Sequence, residues 1–128
     1  MFVDVEEDTF QMDISKIERA ITKKTKAIIP VHLYGCSPDM YGIKKIADRH
    51  KLIIIEDACQ AHGSLYKKKR VGALGYTSCL SFYPSKVLGA FGEAGAVMTE
   101  RKDIAEKMRI LRSHGEAQKG QHDVIGYN

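Results

Sequence analysis

Four consecutive apolar residues, Leu52-Ile53-Ile54-Ile55, run directly into two carboxylates, Glu56 and Asp57. A strand with one face in water alternates apolar and polar residues, whereas a strand covered on both faces reads as an unbroken run. Three β-branched isoleucines in a run too short for a buried helix select the strand. The expectation is therefore a strand of a parallel sheet, buried on both faces, whose carboxyl end carries an acidic pair. Open α/β sheets bind ligands beyond the carboxyl ends of their strands.

The flanking pattern agrees. Apolar segments at residues 2–5, 27–33, 52–56, 77–83 and 95–99 read as strands. Residues 13–21 place Ile14, Ile17, Ala20 and Ile21 on one helical face, and residues 39–50 do the same with Met40, Ile43, Ile46 and Ala47 behind an Asp39 N-cap. A last helix over 102–113 carries Ile104, Met108 and Leu111 and is stopped by Gly115. Strand, helix, strand, helix, strand is the order of an α/β fold, a mostly parallel sheet with helices on both faces. Between Tyr83 and Gly95 the chain is glycine-rich and lacks helical periodicity, too little for a parallel crossover, so the last two strands are expected to pair antiparallel.

Composition narrows the class. With 128 residues, 44% apolar, 28% charged and a net charge of +4, the chain is neither disordered, collagenous, coiled-coil nor a disulfide-stapled miniprotein. The small, dispersed excess of positive charge argues against nucleic acid, and no apolar run approaches the ~20 residues that cross a bilayer. Lys67-Lys68-Lys69-Arg70 reads as an exposed hairpin turn, and Lys23-Lys24-Thr25-Lys26 as a solvated loop. Cys36, Cys59 and Cys79 are odd in number and have no C-x-x-C or zinc spacing. With an acidic N-terminus that is no secretory signal, the reading is a reduced, cytoplasmic protein.

Two stretches could carry chemistry. In Glu56-Asp57-Ala58-Cys59-Gln60-Ala61-His62-Gly63, Asp57 either caps the following turn or presents a carboxylate to a ligand, and His62 reads as a packed structural residue. In Ser81-Phe82-Tyr83-Pro84-Ser85-Lys86-Val87-Leu88-Gly89, a strand enters a proline turn followed by a lysine and glycines. Lys86 is either a surface lysine or, where its amine is deprotonated, a nucleophile toward carbonyl carbon. The stretch is not a P-loop, because no G-x-x-x-x-G-K-[ST] precedes it.

Taken in order, I-x-E-D-A-x-Q-A-H-G, V-G-x-L-G, S-F-Y-P-x-K-x-L-G-A, L-R-x-H-G and V-I-G-Y-N resemble the pyridoxal-phosphate-dependent sugar aminotransferases of the DegT/StrS family, over the whole chain. The resemblance implies the large domain of a fold-type I aminotransferase. By the same resemblance, Lys86 would form the Schiff base with pyridoxal 5'-phosphate and shuttle protons, and Asp57 would pair with the pyridine nitrogen. Gln60 would sit by the ring and its 3-oxygen, and Ser81 would donate to the cofactor phosphate. Asn128 would reach the phosphate of a neighbouring subunit in a homodimer. The implied substrates are a keto-sugar nucleotide, with a hint of a 3-keto sugar, and an amino-acid donor such as glutamate.

Val87 and Glu93 depart from the family, where Asn and Asp are frequent. Lys86 favours transamination over the dehydration run by members with His at that position. Residues 1–128 match only the central part of the large domain, so an N-terminal segment and a small C-terminal domain are expected to be absent. That leaves open a truncated, non-catalytic remnant, or another fold-type I enzyme acting on amino acids.

Overall fold

The computed structural model describes residues Met1–Tyr127. These form two compact units, Met1–Met98 and the residues from Thr99 onward.

In the first unit a short 3-10 turn, Ile14–Lys16, leads into α1 (Ile17–Ala20), then β1 (Ala27–Ile28), α2 (Met40–His50) and β2 (Ile53–Asp57). A small hairpin follows, β3 (Leu65–Tyr66) and β4 (Lys69–Arg70), and then β5 (Thr77–Ser81) and β6 (Gly95–Met98). The main sheet runs β1-β2-β5-β6. β1 and β5 lie parallel to β2, and β6 returns antiparallel to β5, with Ser78 opposite Met98 and Ser81 opposite Gly95. This is the mostly parallel α/β sheet with helices, including the antiparallel last pair, that the sequence implies.

The core forms where the apolar faces of α1 and α2 meet alternate residues of the sheet. Ile17, Ile28, Met40, Ile43, Ala47 and Ile54 pack together in it. On β2 the alternation is sharp: Ile54 and Glu56 are buried, while Ile53 is 39% exposed. The unbroken run is thus covered on one face by these elements, and the expectation of burial on both faces does not hold for Ile53. Its register partner across β1 is Ala27, too small a neighbour to shield it.

Other departures have local causes. Residues 2–5 form no strand; Val5 alone makes a bridge, to Met12, because apolar composition yields a strand only where a neighbour pairs with its backbone. The strand expected over 27–33 ends at Ile28, since Pro30 has no N–H to donate and restricts Ile29 before it. Pairing resumes only as a bridge between Val31 and Asp57. The basic run does form a hairpin turn: Lys67 and Lys68 both take positive φ between β3 and β4, as a two-residue turn of this hand requires.

In the second unit, α3 (Lys102–Arg112) precedes a hairpin of β7 (Glu116–Gln118) and β8 (Gln121–His122). The hairpin is absent from the sequence reading. Its signal is Gly120, at φ +80°, in the two-residue turn.

Helix α2 ends on Lys51, held at φ 54° with its N–H turned back onto the last turn. A side chain in that left-handed conformation costs about 1 kcal/mol or more, and glycine avoids the cost. Lys51→Gly is expected to raise the unfolding free energy by about 0.5–1 kcal/mol in a denaturant titration.

Candidate functional site

The carboxyl end of β2 is fixed by its backbone. Asp57 donates its N–H to Pro30 O at 2.9 Å and accepts from His32 N at 2.9 Å, so segment 30–32 is laced to the strand end. One step on, Ala58 N donates to Cys79 O at 2.9 Å, which ties the exit of β2 to β5. Asp57 Oδ1 accepts from Cys59 N at 3.1 Å, the side-chain turn that Asp forms readily. The Cys59 side chain also hydrogen-bonds the Asp57 carboxylate. The two readings of Asp57 are therefore compatible: a carboxylate that accepts from Cys59 N still stands on the sheet edge where ligands bind.

Beside it, Glu56 is completely buried and saturated with donors. Oε1 accepts from Leu74 N at 2.7 Å and Gly75 N at 2.6 Å, and Oε2 from Gly72 N at 2.8 Å. His32 Nε2, also fully buried, lies 3.0 Å from Oε2. Burial pushes the Glu56 carboxyl up, but His32 and the three amides pull harder, and the group is held below its ordinary value. An ionised Glu56 can only accept, so His32 Nε2 carries the ring proton. Gly75 is needed here: a Cβ on it would sit 2.8 Å from Ile54 O. The sequence motif V-G-x-L-G is thus the loop that supplies Glu56 with amides, a role that sequence reasoning missed.

Gln60 Oε1 accepts from Tyr34 N at 3.1 Å, which orients the amide and leaves its NH2 as the donor. Tyr34 itself is held at φ 56°. Ser81, the last residue of β5, accepts from Tyr83 N at 3.3 Å through Oγ, so its hydroxyl proton is available to another acceptor. Lys86 N closes a turn onto Tyr83 O at 2.8 Å with Pro84 in the second position, the favoured place for proline. Gly89 packs against that turn so closely that a Cβ would lie 2.5 Å from Pro84 O.

Two thiols line the same edge. Burial, reinforced by the Asp57 carboxylate, pushes Cys59 up to about 11, while the Lys86 ammonium is near enough to pull it the other way. Burial and Asp57 likewise raise Cys79. Neither is a thiolate at neutral pH, so neither serves as a nucleophile. The His62 ring packs on Phe82 with centroids 5.5 Å apart, and neither of its buried ring nitrogens has a hydrogen-bond partner among the described residues. Asn128 lies outside the described residues.

The donor set suits the cofactor implied above. Asp57 offers a carboxylate for a protonated ring nitrogen, Gln60 an N–H for an anionic ring oxygen, Ser81 a hydroxyl for phosphate and Lys86 an amine for an aldehyde. All four arise at the carboxyl edge of β2 and β5 or in the loop that follows it.

Residues 1–128 match the DegT/DnrJ/EryC1/StrS aminotransferase family. The chain is 51% identical over 128 residues to a pleiotropic regulatory protein of Geobacillus stearothermophilus, covering all of this chain and 34% of that protein. It is 50% identical over 128 residues to a UDP-N-acetyl-3-dehydro-alpha-D-glucosamine 3-aminotransferase of Acidithiobacillus ferrooxidans, covering all of this chain and 35% of that one. The crystal structure of S. venezuelae DesV superposes with a TM-score of 0.94 at 47% identity, over 98% of this chain and 34% of that one. The chain thus spans about a third of the length of the relatives it matches.

The depressed Glu56 carboxyl has a thermodynamic consequence. A carboxylate favoured by the fold stabilises it fully above the unfolded-state value, here 4.5, and loses that contribution as pH falls through the lower folded value. Thermal melts are expected to hold steady in this contribution from neutral pH to about 4.5 and to fall below it. Glu56→Gln replaces Oε1 or Oε2 by an NH2 facing existing donors. It should lower stability by about 1–3 kcal/mol at pH 7 and flatten the acid slope.

Proposed function

The chain belongs to the DegT/DnrJ/EryC1/StrS aminotransferase family, and from that premise we propose that it forms part of the cofactor site of a pyridoxal-phosphate-dependent sugar aminotransferase. The acceptor is a keto-sugar nucleotide, and the donor an amino acid such as glutamate. The observation that carries this reading is the Asp57 carboxylate. It is fixed through N–H, C=O and Oδ1 on the sheet edge that also leads to Lys86.

When bound, pyridoxal phosphate supplies a ring that takes up the electron pair left when a C–H bond beside an amine breaks. Asp57 would hold a proton on the ring nitrogen, since a carboxylate there favours the charged ring. The Gln60 NH2 would donate to the ring's 3-oxygen and so set the ring's rotation about Asp57. Ser81 would hold the phosphate through its hydroxyl, one of several donors a dianion requires, with Asn128 of a second copy as another. Lys86 Nζ would attach the cofactor covalently. Once released, it would carry the proton from the donor's α-carbon.

The acceptor is a 3-keto sugar in this reading, which agrees with the 3-dehydro sugar in the name of the Acidithiobacillus relative. The loop from Tyr83 to Ala94 borders the edge where that sugar would approach, and its departures, Val87 and Glu93, are the positions expected to tune acceptor choice. A homodimer in the cytoplasm completes the proposal.

Two experiments test it, both on the longest natural reading frame that contains residues 1–128. Borohydride treatment in the presence of pyridoxal phosphate should fix one cofactor per chain on Lys86. Lys86→Ala and Lys86→Arg should both lose the label, because a guanidinium stays protonated and cannot bond the aldehyde. Unchanged labelling in Lys86→Ala would sink the assignment. Asp57→Asn, nearly isosteric but uncharged, should cut glutamate-dependent amination of a 3-keto-sugar nucleotide by at least about 100-fold. A near-normal rate would reduce Asp57 to a turn cap.

A further inference from the structure

The proposed reaction makes no use of the buried pair His32 and Glu56, the most completely desolvated ionisable cluster of the first unit. We propose that His32 and Glu56 are positioning residues for Asp57, holding its carboxylate on the cofactor ring nitrogen; this rests on the reading of the site given above.

The geometry makes the connection direct. Successive side chains of a strand point to opposite faces, so anchoring Glu56 on the buried face sets the direction in which Asp57 leaves the other. Glu56 is anchored by four donors from two separate segments: three amides of the loop at 72–75 and the imidazole of His32. That loop is held in turn by Ser78, which donates to Gly72 O at 2.6 Å and sits beside Glu56 in the sheet register.

His32 acts on Asp57 twice. Its backbone N–H bonds the Asp57 carbonyl, while its ring bonds the residue before. Segment 30–32 has only the isolated bridge of Val31 to Asp57 as sheet pairing here, because Pro30 interrupts β1. The buried imidazole adds a side-chain tie to the backbone that already holds Asp57 through two main-chain bonds. Without the Glu56 anchor the strand end keeps its main-chain bonds to residues 30, 32 and 79 but loses the side-chain hold on its fine orientation, and a displacement of the carboxylate by about 1 Å suffices to cost on the order of 100-fold in a positioned reaction.

The neighbours identify which group feels the loss. The Asp57 turn, through Cys59 N, is local and survives removal of Glu56. The carboxylate thus remains present and ionisable but is no longer aimed. The signature is a change at the ring nitrogen without loss of cofactor attachment, which a purely structural pair does not produce.

The test uses the longest natural reading frame containing this chain and pyridoxal phosphate labelled with 15N in the ring. Wild-type protein must first fix the cofactor on Lys86; its failure to do so refutes the site reading and not this one alone. Given that, Asp57→Asn sets the resonance of an unsupported ring nitrogen. Glu56→Gln and His32→Leu are expected to move the nitrogen resonance most of the way toward that reference and to lower amination by about tenfold to 100-fold, with Lys86 labelling retained. His32→Gln keeps an N–H donor and should recover much of the wild-type resonance. A folded Glu56→Gln or His32→Leu protein with the wild-type resonance and rate overturns the proposal. Failure of both variants to fold, judged by melting and circular dichroism, also overturns it and assigns the pair to the fold alone. If only one folds, that variant decides.

Discussion

A carboxylate with no exposure to water organises the first unit. An isolated buried charge is prohibitively costly, and Glu56 is tolerable only because every lone-pair direction meets a donor. Those donors come from residue 32 on one side and residues 72, 74 and 75 on the other. One side chain thereby gathers segments that no regular sheet pairing connects. Such a pair is poor evidence of stability in itself, since an apolar substitute of the same shape is often as good. What an apolar side chain cannot do is specify where three amides and an imidazole must point. The pair is a device for position.

The core supports this arrangement from beneath. Ile54, two residues before Glu56 on the same face, packs with Ile43 and Ala47 of α2 and Ile17 of α1. Burying each isoleucine contributes roughly 2 kcal/mol, non-directional energy that holds the strand against the helices without fixing its fine register. The hydrogen bonds at Glu56 supply the direction that burial lacks. Their proximity to the sheet's carboxyl edge carries that precision to Asp57.

How much of this was legible in the sequence follows from the range of each interaction. The isoleucine run announced β2, and the short glycine-rich span before Gly95 announced the antiparallel turn of β6, because both depend on neighbouring residues. The helical stripe of Met40, Ile43 and Ala47 was equally local. Burial of Ile53 was not legible, since it depends on what lies across the sheet. Asp57, Gln60, Ser81 and Lys86 stood out as a set only through resemblance. Spacing alone leaves each of them with an ordinary structural explanation. The task of Glu56 was hidden most deeply, although it adjoins Asp57. Its partners lie 16 to 19 residues later and 24 earlier, and backbone amides have no sequence letter. The two glycines of V-G-x-L-G were the visible trace, because a Cβ at Gly75 has no room beside Ile54 and Glu56.

The two halves of the proposed site are built by different means, and the chemistry proposed for them calls for that difference. Asp57 must keep one charge at one place, so it stands on a strand end pinned by backbone, turn and buried pair. In the proposed reaction Lys86 would bond, release and move a proton, and it stands on a loop. That loop is closed at its base, where Phe82 N donates to Ala94 O and Ala90 N to Phe82 O, both within 2.9 Å. Around Lys86 itself the backbone is tied by the turn onto Tyr83. A lysine on a strand would share the rigidity of Asp57 and have a single reach. Here it stands on a loop anchored at its base, beside the strand that carries Asp57. The antiparallel return of β6 is what permits this, because it brings the chain back beside Ser81 after a dozen residues without a crossover helix over the edge.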